Sequence, residues 1–111
     1  NGAFYANVNV LTQNLAGMNL DLDKYVTLSK SQFSSLPKAK INSSKRIKQN
    51  GIEYHELTVD AHLNNLDLSF LQHYYIVDDL AYVITYTQTQ SDNEENFNEG
   101  KEILKSFKIK Q

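Results

Sequence analysis

Hydrophobic and polar residues alternate along most of this chain, and the period switches from two to about 3.6 in two places only. Phe4, Ala6, Val8 and Val10 alternate with Tyr5, Asn7, Asn9 and Leu11, which predicts a strand over residues 3–13 with an apolar and a polar face. A loop with Gly17 follows. Over residues 21–36 the apolar positions recur at three-to-four spacing: Leu22, Tyr25, Val26, Leu28, Phe33 and Leu36. That is the stripe of an amphipathic helix. Asn19 or Asp21 serves as its N-cap, and Asp21 and Asp23 suit the positive end of its dipole. Pro37 fits just past its end, because the residue before a proline disfavours helical geometry.

Period two then returns. Asn50-Gly51 is a strong hairpin signal, since a type I′ turn needs positive φ at both central residues. Residues 43–49 should therefore pair antiparallel with residues 52–59. Strands are predicted over 52–63, 66–77 and 80–90, separated by Asn64-Asn65 and Asp78-Asp79. In the last of these, Tyr82, Ile84 and Tyr86 face one way and Ala81, Val83 and Thr85 the other. A strand apolar on both faces belongs inside a sheet. Residues 91–93 open a second helix through capping boxes, Ser91 with Glu94 and Asp92 with Glu95. Phe97, Ile103 and Leu104 are its sheet-facing side, and residues 106–109 read as a short final strand. The predicted fold class is α+β, an antiparallel sheet flanked by an N-terminal and a C-terminal helix, in a single domain spanning 1–111.

Composition narrows the function classes. The 111 residues hold 11 Lys+Arg and 13 Asp+Glu, a balance without the basic excess of a nucleic-acid binder. No apolar run approaches the length of a membrane span. With no cysteine, disulfides, thiolate catalysis and cysteine-ligated zinc are excluded.

Charge is segregated along the chain. Residues 38–48 carry Lys38, Lys40, Lys45, Arg46 and Lys48, whereas residues 52–99 have no Lys or Arg and ten acids. The cationic stretch reads as a sheet edge, where lysines discourage unwanted pairing, or as a surface for an acidic partner. Tyr74, Tyr75, Tyr82 and Tyr86 can form core or an interface.

Catalytic and metal chemistry find little support. His55 and Glu53 share one strand face and Glu56 the other, with His62 on the Glu56 face. His73 joins His55 or His62 only if strand register allows. Such a set lacks the convergence a metal needs. Asp78-Asp79 with Asp92, Glu94 and Glu95 has oxygen ligands for calcium but no loop spacing to gather them. There is no G-x-S-x-G, no P-loop and no G-x-G-x-x-G. The expectation is no catalytic residue, no cofactor and no metal.

Several of these segments together resemble the PsbP-like superfamily, which includes PsbP proteins of photosystem II and DcrB-type bacterial lipoproteins. They are Phe4-x-x-Asn7-Val8-Asn9-Val10, the helix DLDKYVTLSKSQ, the hairpin with EYHEL, the strand pair LQHYYIVDDLAYVITYT and the closing ILKSFK. The resemblance implies an α/β/α sandwich and a non-catalytic binding or assembly role in an exported, lipid-anchored bacterial protein, placed extracytoplasmically. It covers nearly the whole chain and carries over no functional residue. Members begin with a further strand pair bearing a Tyr-Pro…Trp segment. This chain has no Trp and Pro37 as its one proline, so that pair is expected to be missing. An edge near residues 4–11 would then be open to another chain.

The expected activity is protein–protein contact, through a surface of Lys38, Lys40, Lys45, Arg46, Lys48, Tyr74 and Tyr75. The chain would act as a monomer or an edge-strand dimer. Membrane association would come through a lipid anchor outside the chain, and nucleic acid is not a partner. The alternative is a small-ligand-binding or enzymatic domain whose pocket uses His55 or His73.

Overall fold

A computed structural model describes residues 6–49, 51–92 and 94–107. Strand β1 (Asn7–Asn14) leads into helix α1 (Leu22–Ser34). Strands β2 (Lys40–Gln49), β3 (Ile52–Leu63), β4 (Leu66–Val77) and β5 (Leu80–Thr89) follow, then helix α2 (Glu94–Lys105). The five strands form one antiparallel sheet in the order β1-β5-β4-β3-β2. The chain crosses from one edge to the other through α1, then meanders back until β5 lies beside β1. With two helices and an antiparallel sheet, the fold is α+β.

Local chemistry sets the joints. The Asp21 side chain accepts a hydrogen bond from the Lys24 amide at 2.8 Å and caps α1. The turns at Asn64-Asn65 (φ 52° and 63°) and Asp78-Asp79 (φ 50° and 63°) hold both central residues left-handed. That geometry follows strand twist and suits Asn and Asp. Gly51 has φ 78°, as the predicted hairpin requires, while Asn50 lies outside the described residues. β2 begins at Lys40, earlier than the hairpin signal implied. A register shift between Ile41 and Ser43 absorbs one extra residue, Asn42, and lets pairing continue to Lys40 opposite Asp60.

Two apolar clusters use alternate residues of the same strands. Leu22, Tyr25 and Val26 of α1 pack with Leu57, Val59, Tyr74, Ala81 and Val83. Leu104 of α2, with Phe97 beside it, packs with Tyr54, Leu71, Tyr75, Ile84 and Tyr86. Gly100 permits that second contact, because a Cβ there would meet the Tyr86 ring at 2.5 Å. The expected final strand is absent at Ser106 and Phe107. Their amides bond back to the Glu102, Ile103 and Leu104 carbonyls and close the helix instead. Lys108 and Ile109 lie outside the described residues.

Candidate functional site

The two edges of the sheet differ in kind. β2 carries Lys40, Lys45, Arg46 and Lys48 in ten residues. β1, NVNVLTQN, carries no charge in eight and is exposed throughout. Among the described residues no strand pairs with its outer side. Val8 and Val10 point to one face of the sheet and Leu11 to the other, and all three are exposed. An edge strand without a gatekeeping charge and with exposed apolar side chains is the kind that takes strand addition.

Beside β1 a groove of about 440 Å³ runs along the α1 side of the sheet. It exists because α1 lies over β3 and β4, leaving the β5 and β1 side of that face uncovered. Its floor is Gln13, Gln72, Tyr74 and Val83, with Leu11 at the open edge. Phe33, Leu28 and Leu36 wall one side, and Met18 and Leu20 close it from the loop before α1. Two separate sets of hydrogen bonds hold the polar groups of the floor. The Tyr25 hydroxyl donates to Gln13 Oε1 at 3.0 Å. The Tyr74 hydroxyl donates to Gln72 Oε1, and Gln72 Nε2 donates to Thr85 Oγ1 at 3.0 Å. Burial pushes the Tyr74 phenol up to about 12 and raises that of Tyr25, so both stay protonated at neutral pH.

Two of the five predicted cations, Lys45 and Arg46, meet acids within the chain. Arg46 pairs with Asp23 through Nη1 at 2.9 Å and with Glu53 through Nε at 2.5 Å. Lys45 reaches Glu56 at 3.7 Å. Register places Lys45 opposite Glu56 and Lys48 opposite Glu53, so the charge split at the hairpin becomes cross-strand pairing. Lys38 sits in the connection after α1 with φ 57°. The predicted tyrosine surface is corrected: Tyr74 and Tyr75 are 1% and 7% exposed, on opposite faces. Their rings serve the core because β4 is a central strand with both faces covered.

The histidines are dispersed. His62 pairs with Asp67 across the Asn64-Asn65 turn at 2.8 Å. His55 Nε2 meets the Ser44 hydroxyl at 2.7 Å, and burial pulls its pKa below the ordinary value. His73 is fully buried, and its Nε2 lies 2.9 Å from Glu56 Oε2. The hydrogen bond from His73 holds the Glu56 carboxyl below its usual range. Neither His55 nor His73 lines the groove. Among the described residues no three His, Asp or Glu side chains gather to hold a metal ion.

Sequence reasoning missed the Glu56–His73 pair, Gly100 and the groove. The pair was within reach. Counting outward from a two-residue turn at Asn64-Asn65 arrives at Glu56 opposite His73.

No protein-family model and no curated protein matches the chain. Among solved structures it is similar to that of PA94 from Pseudomonas aeruginosa, described as a protein of unknown function and a candidate regulator. The TM-score is 0.77 at 14% identity, covering 98% of this chain and 87% of that one. At that identity the likeness concerns the fold. No helix among the described residues is long and apolar enough to cross a membrane.

Proposed function

We propose that this chain is a non-catalytic binding domain of PsbP-like α/β/α type, whose β1 edge receives an extended segment of a partner protein. The observation that carries the reading is the asymmetry of the two edges. β2 has four cations guarding it and β1 has none. An unguarded edge is a liability in a protein with no use for it. Added main-chain hydrogen bonds give such an interface its affinity, and alternate side chains give it specificity. The uncharged surface favours a neutral partner strand, because a charged one would lose hydration beside Val8, Val10 and Leu11 without gaining a partner.

The exported, lipid-anchored bacterial setting is part of the proposal and rests on the sequence resemblance to DcrB-type lipoproteins. Labelling the full-length precursor with radioactive palmitate in a bacterial host tests it. Incorporation at a cysteine upstream of Asn1 supports the anchor, and its absence removes it.

The binding reading is tested on an array of neutral ten-residue peptides with alternating apolar side chains. The wild-type chain should bind a subset, and Asn9→Lys and Val10→Lys should each abolish binding while leaving the thermal melt unchanged. Binding by wild type and both variants alike would place the interface elsewhere.

A further inference from the structure

We infer that the groove beside α1 is a binding site for an uncharged amphipathic small molecule, with an apolar body and a hydroxyl, ester or amide end. This site borders the β1 edge and shares Leu11 with it, but does not depend on strand addition there.

Charge carries the argument first. None of the thirteen residues lining the groove is ionised at neutral pH. Its phenols have pKa values raised by burial, so they do not become anionic in the physiological range. A carboxylate, phosphate or ammonium entering this space would shed water and find no counter-charge.

The polar groups present are those that recognise a neutral head. The Gln13 carboxamide is held through its oxygen by the Tyr25 hydroxyl, leaving its NH₂ to donate. Ser29 adds a hydroxyl to the lining near Tyr74. Gln32 adds a further carboxamide at the exposed helix side. Few polar atoms placed among apolar walls is the usual make-up of a small-molecule site, and about 440 Å³ falls within the usual size range.

The rim is unlike an ordinary protein surface. Leu11, Met18 and Leu28 are 59%, 51% and 51% exposed, and they come from β1, the following loop and α1. Three large apolar side chains from separate elements converging on one opening is not the scattered exposure that any surface shows. A ligand with an aliphatic or aromatic body would cover all three at once.

The test compares two dyes on the intact chain. N-phenylnaphthylamine is neutral, and anilinonaphthalene sulfonate has the same aromatic frame with a sulfonate. Fluorescence titration should give saturable one-to-one binding of the neutral dye, and affinity for the anion lower by roughly tenfold or more. A monoacylglycerol should displace the dye, and the fatty acid of the same chain length should not.

Two exposed positions supply the variants. Leu28→Trp fills the opening and should abolish binding. Gln32→Lys supplies a cation and should narrow or reverse the preference between the two dyes. Val10→Lys, which disables the β1 edge from the opposite sheet face, should leave dye binding unchanged. Absence of saturable neutral-dye binding would overturn the proposal. So would equal affinity for the anion, or a preference that Gln32→Lys does not move.

Discussion

Glu56 of β3 and His73 of β4 stand directly opposite each other, and their side chains meet at 2.9 Å inside the protein. Lys45, the cross-strand neighbour of Glu56 on β2, approaches from the solvent side at 3.7 Å. Tyr54 lies against the His73 ring with centroids 4.8 Å apart and stacks on Tyr75 at 5.0 Å. With ionised Glu56 accepting from Nε2, the Nδ1 atom of His73 has no hydrogen-bond partner. The pair is one unit, and its members are not interchangeable with single polar residues.

Removing one partner should therefore cost more than the pair is worth. Glu56→Ala should destabilise the fold by about 1–3 kcal/mol, because it leaves a buried imidazole N–H without its acceptor. Replacing both, as Glu56→Leu with His73→Leu, should recover most of that loss. Urea denaturation of the single and double variants measures the coupling, and additive losses would show that the two residues act independently.

Acid should weaken the protein in two stages. Burial lowers the His55 pKa from its ordinary 6.5, so its contribution is full above that value and erodes as pH falls below it. Glu56 is lowered from 4.5, first by the hydrogen bond from His73. Its contribution holds above 4.5 and is lost as pH falls through the depressed folded value. Denaturation midpoints across this range should show both stages. His55→Gln should remove the upper one and Glu56→Gln the lower.

Alkali should act through the groove floor. The Tyr74 phenol is raised from 10 to about 12 by burial. Its stabilising contribution is complete below 10 and is lost as pH rises through about 12. Ultraviolet absorbance titration should show a late-ionising class of tyrosines in wild type that shrinks in Tyr74→Phe. Titration of every tyrosine near the ordinary value would contradict the burial.

Gly100 makes the opposite case to a helix propensity argument. In an exposed helix, Gly→Ala stabilises by about 1 kcal/mol. Here the new methyl would enter the Tyr86 ring, whose hydroxyl also bonds Gln88 Oε1 and the Asn96 carbonyl at 2.9 and 3.2 Å. Gly100→Ala should lower stability by about 1–3 kcal/mol through overpacking. Recovery in Gly100→Ala combined with Tyr86→Leu would assign the loss to that one contact.

Turn chemistry makes the meander legible from residue types alone. Asn64-Asn65 and Asp78-Asp79 occupy left-handed positions, and period two assigns Ala81 and Val83 to one face and Ile84 and Tyr86 to the other. The cap at Asp21 is equally local. The Glu56–His73 contact requires strand register, which residue type alone does not supply. The groove is hidden for a different reason: it depends on where α1 lies across the sheet, and helical periodicity specifies which face of α1 is buried but not over which strands. The charge split at residue 50 is visible in the sequence, yet its meaning changes with Arg46 seated between Asp23 and Glu53.

The open β1 edge is the centre of this account, and amide hydrogen exchange on β1 tests it most directly. A neutral peptide selected on the array should slow exchange at alternate amides of Asn7–Asn14, those pointing away from β5, and leave β2 unaffected. Protection confined to β2, or to α1 without β1, would contradict strand addition at this edge.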